Sequence, residues 1–347
     1  VTDQESSTQP STKPRSTERR STKLKQESLG ELKKFASHLR ITPWTLAIGI
    51  TTFVVLVIIV VWTTGLASYI KEKPPIWGLF GLAFVTAYIQ YVGFTLSLQG
   101  ASDIRLPVLR TLELELAESV TYVYTPESVG SLALTMRFLH KQKFTTAQAA
   151  AATGLSSTVT TIVGIIILPI AAILSVGTIN VHALKSDTPS ATWEILAAIL
   201  GIAVIVTVLV KAPTLRAKVT AWLKQALAYL DHVIKNPMSG IKIAGGELVT
   251  LAGEVATLSF LVLATHHSPN IPAFIVVVLI AGTASSVVPI PGGLGAPEAI
   301  LIAGLNATGV HGADAIICGM SYRLFVYWLP PIPGAICLYD LHGRDLV

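Results

Sequence analysis

The run Val288-Pro-Ile-Pro-Gly-Gly-Leu-Gly-Ala-Pro-Glu298 puts three prolines, three glycines and one carboxylate inside otherwise unbroken apolar sequence. Pro289, Pro291, Gly292, Gly293 and Gly295 all break helices, and a helix break frees backbone groups that are costly to leave unpaired in hydrocarbon. At membrane depth such a break is tolerated only where it is buried in protein or lines a wet cavity. A charged side chain next to it marks a functional site. The run therefore calls for a helical membrane protein that binds or moves something polar within the bilayer.

The composition agrees. Hydrophobic residues make up 52% of the 347 residues and charged ones 13%, about half the charge of an ordinary soluble domain. The net charge of +5 is concentrated at one end. Residues 1–40 hold nine Lys/Arg against five Asp/Glu, and the other 307 hold sixteen against fifteen. No aromatic residues interleave with the basic ones, so the charge does not indicate a nucleic-acid partner. Cys318 and Cys337 sit in apolar sequence, in neither a metal-ligand spacing nor a disulfide framework. No nucleotide loop, G-x-S-x-G or H-E-x-x-H motif is present, and no cofactor or metal is expected.

Along the chain, residues 1–28 are polar and expected to be disordered. Leu29, Leu32, Phe35 and Leu39 then recur at helical spacing among Lys33, Lys34 and Arg40. This suits either a helix lying on an anionic membrane surface or a solvated leader. Domain boundaries follow: a basic tail over 1–40 and a membrane domain over 41–342. Apolar spans are expected near 46–66, 76–98, 147–176, 195–210, 243–263, 272–288 and 313–338. Residues 214–235 read as an amphipathic interfacial helix. Arg105, Arg110, Arg137, Lys141, Lys143, Lys211, Arg216, Lys218 and Lys224 fall where the chain returns to the side of its tail. The positive-inside rule then places the N-terminus in the cytoplasm. The expected fold is an all-α polytopic protein of the cell membrane, with seven or eight spans and two repeat-related re-entrant or broken helices.

The repeat is weak but visible, between segments of about 111–176 and 281–338. Pro126-Glu-Ser-Val-Gly130-Ser131 aligns with Pro291-Gly-Gly-Leu-Gly295-Ala296. The apolar stretches that follow, Val129 to Leu139 and Leu294 to Leu305, give roughly 16–18 Å of helix. A bilayer core is about 30 Å thick. Paired broken segments in two halves of a membrane protein point to a transport site. Two half-helix ends meeting near the midplane would favour an anionic group such as a phosphate.

The charged residues at these depths are the candidates. Glu298 follows the break directly, either as a helix cap or as a gating, proton or headgroup contact. Arg323 lies far from either end of its apolar stretch, so it needs a carboxylate, carbonyls or a phosphate; the favoured partner at rest is Glu298 or Glu254. Glu247 and Glu254 are seven apart on one helix face with Thr250 and Thr257. Gly246 and Gly253 beside them allow close helix approach. Glu254 is the deeper of the two and the one suited to proton coupling. Glu118, Glu127 and Arg137 are the first-half equivalents. Glu113 and Glu115 are expected near the cytoplasmic interface, and His266-His267 in an interfacial loop.

Two strings resemble a known family. Pro289-Ile-Pro-Gly-Gly-Leu-Gly-Ala-Pro-Glu298, followed by Tyr322-Arg323-Leu-Phe-Val-Tyr-Trp-Leu-Pro330, is similar to the signature of the lysylphosphatidylglycerol synthase transmembrane-region family. These are flippase-like integral membrane proteins of bacteria and archaea, and the resemblance covers residues 41–342. It implies a translocating membrane part, and the expectation is that the aminoacyltransferase domain fused to some members is lacking. It also implies that Glu298 and Arg323 carry the second-half site and Glu127 and Arg137 the first. The expected activity is non-enzymatic: translocation of a polar or anionic lipid or a lipid-linked saccharide. A membrane lipid is the partner, with a lipid-synthesising or glycosyltransferase enzyme as a further one. The alternatives are an accessory subunit of a lipid-modifying enzyme and a small-solute or ion transporter.

Overall fold

Helices make up the regular structure of the described residues, which in the computed structural model are 51, 66–102, 104–124, 129–175, 235–287 and 295–347. In chain order they are α1 (Leu66–Glu72), α2 (Trp77–Ala87), α3 (Ile89–Ala101), α4 (Val108–Tyr124), α5 (Val129–Lys141) and α6 (Thr146–Ser175). The second set is α7 (Pro237–Ala264), α8 (Ile271–Val287), α9 (Ala296–Ala307), α10 (Ala313–Arg323) and α11 (Pro331–Gly343). A π-helical turn, Leu324–Trp328, lies between α10 and α11. The tail 1–40, most of the span 46–66, the span 195–210 and nearly all of the amphipathic stretch 214–235 lie outside the described residues. So do Pro126, Glu127, Pro289, Pro291, Gly292 and Gly293.

Four described segments are long and apolar enough to cross a membrane: Trp77–Ala101, Thr146–Ser175, Pro237–Ala264 and Ala313–Gly343. The chain is an all-α polytopic membrane protein. Tyr88 is only a tightened turn between α2 and α3, its N–H bonding back to Val85. Pro237 starts α7 six residues earlier than apolarity alone predicts, because proline is preorganised for a first helical turn. α7 is the central helix, with 56% of its apolar window buried against 11% for α6. On α6, Ile165, Ile170, Ile173 and Leu174 are exposed, as befits a lipid-facing surface.

The internal repeat extends further than the sequence alone indicates. Each half runs as a crossing helix, a 17-residue helix, a helix of 13 or 12 residues, and a segment of 30 or 31 residues. These are Trp77–Ala101, α4, α5 and α6 in the first half, and α7, α8, α9 and Ala313–Gly343 in the second. At 1.5 Å per residue, α5 and α9 reach about 18–20 Å, short of a bilayer core of about 30 Å.

The two halves run in opposite directions. The Ile76 N–H donates to the Ala264 carbonyl at 2.9 Å, the Thr257 hydroxyl to the Ala83 carbonyl at 3.3 Å, and the Thr250 hydroxyl to the Gln90 carbonyl at 3.3 Å. The start of one crossing helix thus meets the end of its counterpart. A two-fold axis relating antiparallel helices lies perpendicular to them, which makes this an inverted-topology repeat. Other contacts are exchanged between halves: α4 packs on α11, and α8 packs on α6. Each half has its own apolar core. One is built around Leu114, Phe138, Leu139 and Leu155, the other around Leu258, Phe274, Leu301 and Leu305. Ile243 of α7 enters the first core and Ala83 of α2 the second.

The central crossing depends on small residues. A Cβ at Gly93 would lie 2.5 Å from the Gly246 carbonyl oxygen, and a Cβ at Gly246 would lie 2.5 Å from that of Gly93. Gly253 packs in the same way on Thr86, Ile89 and Gln90. Gly93→Ala or Gly246→Ala should therefore cost about 1–3 kcal/mol through forced separation. Gly164→Ala has nothing within 4 Å of its new methyl and should be neutral or gain about 0.5–1 kcal/mol of helix propensity. Unfolding midpoints in detergent check both expectations.

Candidate functional site

Arg323 closes α10 with only 6% of its side chain exposed. Its Nε donates to Glu298 Oε1 at 2.9 Å. Glu298 is itself 9% exposed, and its other oxygen, Oε2, accepts the Gly295 N–H at 2.8 Å. Gly295 has φ +100, a left-handed conformation that glycine adopts without strain, and it caps α9 with Glu298 in the third helical position. Capping and ion pairing are thus both filled by one carboxylate, one oxygen each. Of the two partners expected for Arg323, the structure selects Glu298.

The guanidinium also stacks on an aromatic ring, with Cζ 4.2 Å from the centroid of Tyr327. The Tyr327 hydroxyl donates to the Tyr122 carbonyl at 2.7 Å, joining the second half to α4 of the first. Tyr327 reaches this position through the π-helical turn. Pro330 and Pro331 have no N–H to offer the preceding carbonyls, and the turn widens so that the Leu329 N–H bonds to Leu324 at 2.9 Å. The Val326 carbonyl, four residues before Pro330, instead accepts the Gln90 side-chain amide at 3.2 Å. Gln90 is buried and holds the Ala87 carbonyl with the same nitrogen. Turns of this kind are frequent at functional sites.

Two cavities flank this constellation. Cavity 1, of about 340 Å3, is lined by Arg323, Glu254, Tyr322, Tyr327, Gln90 and Ser119, among others. Cavity 2, of about 400 Å3, is lined by Glu115, Glu118, Glu247, Thr135, Ser156 and Thr160, among others. Phe94, Tyr122 and Ser131 line both, so the cavities adjoin. In cavity 2, Glu118 accepts the Thr135 hydroxyl, and Glu247 Oε1 accepts the Thr160 hydroxyl at 2.7 Å.

The structure thus brings Arg323 and Glu254 to one cavity, with Glu298 paired to Arg323 but not itself lining that cavity. Glu247 goes to the other, although it shares a helix face with Glu254. Arg137 is exposed and lines neither cavity. Gly130 is buried, and Glu127 lies outside the described residues. With Gly130 aligned on Gly295, the residue at the place of Glu298 is Ala133. Glu115, expected at an interface, is buried at 8% exposure, whereas Glu113 pairs with Arg110 at 2.6 Å. The sequence signal for this was the polar stripe Glu115, Ser119, Tyr122 at spacings of four and three, which share a helix face. His267 Nε2 meets Asp314 Oδ2 at 3.0 Å, while His266 approaches the Pro74 carbonyl at 3.4 Å. No group of three or more metal-ligating side chains occurs among the described residues.

The family model described as the lysylphosphatidylglycerol synthase TM region matches residues 44–334. The chain belongs to this family. That stretch includes both cavities, the Arg323–Glu298 pair and every helix from α1 to α10. No curated protein matches the chain. As a member of the lysylphosphatidylglycerol synthase TM family, it is a membrane protein related to lipid handling.

Removing one partner of a buried ion pair strands a charge, which costs about 3–5 kcal/mol. Arg323→Met and Glu298→Gln should each lower the unfolding midpoint by that measure. The double variant should lose less than the sum, because no unpaired charge remains. A thermal-unfolding double-mutant cycle in detergent measures this coupling. Gln90→Leu should cost about 1–3 kcal/mol by orphaning the Val326 carbonyl.

Proposed function

We propose that this membrane domain carries a polar or anionic lipid, or a lipid-linked saccharide, between the two leaflets of the cell membrane. The observation that supports this most is Arg323, a buried guanidinium lining a cavity whose other polar groups are hydroxyls, amides and one carboxylate. A phosphate-bearing headgroup in cavity 1 would compete with Glu298 for that guanidinium. Releasing Glu298 to its helix cap costs less than leaving it bare, because Gly295 already holds one oxygen. Arg323 would bind the headgroup, Glu298 would act as the counter-charge at rest, and Glu254 would gate or carry a proton.

In this reading α4–α5 and α8–α9 are re-entrant pairs, since the shorter helix of each falls short of a crossing. The inverted repeat supplies a route to alternating access, with one half rocking against the other around a site near the midplane. The domain acts as a carrier and not as an enzyme. By the positive-inside rule its N-terminus would face the cytoplasm, with Arg105, Arg110, Lys141 and Lys143 in connections on that same side. A lipid-synthesising enzyme or a glycosyltransferase would deliver the cargo on that side.

A leaflet-exchange assay in proteoliposomes tests the proposal, using an acyl-labelled anionic phospholipid and a membrane-impermeant quencher. Wild type should exchange label faster than empty vesicles. Arg323→Ala should cut the protein-dependent rate at least about tenfold, the loss expected for one buried charge-assisted contact. An accessory subunit would give no exchange and no dependence on Arg323. A solute transporter would move ions or small solutes and leave the labelled lipid in place.

A further inference from the structure

Four neutral polar side chains that line cavity 1 have already given their protons to the backbone. Ser119 donates to the Leu116 carbonyl, Ser285 to that of Ala281, and Tyr327 to that of Tyr122. Both amide hydrogens of Gln90 are taken, by the Ala87 and Val326 carbonyls. What these side chains still offer is lone pairs, on three hydroxyl oxygens and one amide oxygen. Glu254, when ionised, is an acceptor alone. Arg323 is the one cation among the described residues that line the cavity.

An occupant that suits this wall carries an anionic group for Arg323 and hydrogen-bond donors for the rest. The acceptors come from five elements: α3, α4, α7, α8 and the π turn. A single ammonium is a compact cation with three donors, and it cannot meet acceptors spread over five elements. A ring with hydroxyls along its rim can. Tyr91 and Tyr322, both buried, bring aromatic rings to the same cavity. A sugar or cyclitol ring has an apolar C–H face to set against such rings and a polar rim to hydrogen-bond. The cavity of about 340 Å3 is near the small end of ligand pockets, which run from about 300 to 1,000 Å3. It suits one such ring with its phosphate and not a chain of sugars.

Cavity 2 has no equivalent set. Aligning the first residues of α6 and α10 puts Ser156 opposite Arg323. Aligning those of α4 and α8 puts Glu115 opposite Val278 and Glu118 opposite Ala281. No Lys, Arg or His is among the described residues that line cavity 2, so an anionic headgroup finds its anchor in cavity 1.

We propose that cavity 1 selects a headgroup made of one polyhydroxylated six-membered ring linked to a phosphate. Arg323 takes the phosphate, and Glu254, Gln90, Ser119, Ser285 and Tyr327 accept from the ring hydroxyls. The assignment rests on the reading of cavity 1 as a lipid headgroup site, and its test needs binding and not transport.

The test is equilibrium binding of radioactive glucose 1-phosphate to the purified full chain in detergent, with unlabelled competitors. Glucose 1-phosphate should bind at least about tenfold more tightly than inorganic phosphate or phosphoethanolamine, the gain expected for two or more added hydrogen bonds. Phosphatidylinositol in mixed micelles should displace the label, and phosphatidylethanolamine should not. Glu254→Gln and Ser285→Ala should each cut the preference for glucose 1-phosphate over phosphate by about threefold, as for one weakened hydrogen bond. Asp345→Asn, at an exposed ion pair with Lys141, should behave as wild type, and circular dichroism verifies the fold of each variant. Inorganic phosphate or phosphoethanolamine binding as tightly as glucose 1-phosphate overturns the proposal. So does an absence of binding, or a preference that survives intact in both variants. Label that phosphatidylinositol fails to displace marks a free sugar phosphate as the ligand and overturns the lipid assignment. The expected binding order in a protein that exchanges no lipid upholds the headgroup and overturns the carrier reading instead.

Discussion

A guanidinium inside a membrane domain is expensive unless several groups share its charge, and the architecture around Arg323 answers that cost. Glu298 supplies the opposite charge at 2.9 Å, and Tyr327 supplies a ring face at 4.2 Å. Glu298 can sit there because the chain breaks at Gly295 and restarts as α9 with its carboxylate in the first turn. Tyr327 can sit there because two prolines open the following helix into a π turn. The break in one element and the distortion in another are thus one device. Both place a side chain against the same cation, and the Tyr327–Tyr122 bond carries that device into the other half of the molecule.

The inverted repeat explains why there are two cavities and why they differ. Antiparallel packing of α7 on α2 and α3 brings the counterparts of the two halves to the same depth. Gly93 and Gly246 let the backbones approach closely enough for each half to contribute to the other's core. The scaffold is therefore duplicated, while a few positions have diverged in chemistry. Ser156 stands where the other half has Arg323, Ala133 where it has Glu298, and Glu115 and Glu118 where it has Val278 and Ala281. Changing a handful of side chains on a fixed backbone puts Arg323 beside Glu254 in one chamber and only acidic charged groups in the other.

Much of this was legible in the order of residues. Apolar length located the spans 77–101, 237–264 and 313–343 to within a few residues, except that a proline moved the start of α7 and the last segment runs on to Gly343. The string from Pro289 to Glu298 and the isolated Arg323 marked the site, since a break and a charge in hydrocarbon are each costly on their own. The repeat could be seen at Pro126 and Pro291. Its full extent could not, because α4 and α8 share length and position but almost no residue identities. Glu115 reads in the sequence as interfacial, and its burial depends on which face of α4 turns inward. Arg137 was singled out by its place after the first break and by the family resemblance, and it is exposed on α5.

The sequence by itself determined an all-helical membrane protein, the places where its helices break, and the need of Arg323 for a counter-charge. Hydrophobic length, proline and glycine geometry and the cost of an unpaired ion all act locally, so they can be judged without knowing the fold. Tertiary structure decided that Glu298 and not Glu254 meets the arginine, that Glu247 and Glu254 serve different chambers, and that the halves are inverted. Each of those outcomes depends on close packing between segments far apart in the chain, which no local pattern specifies.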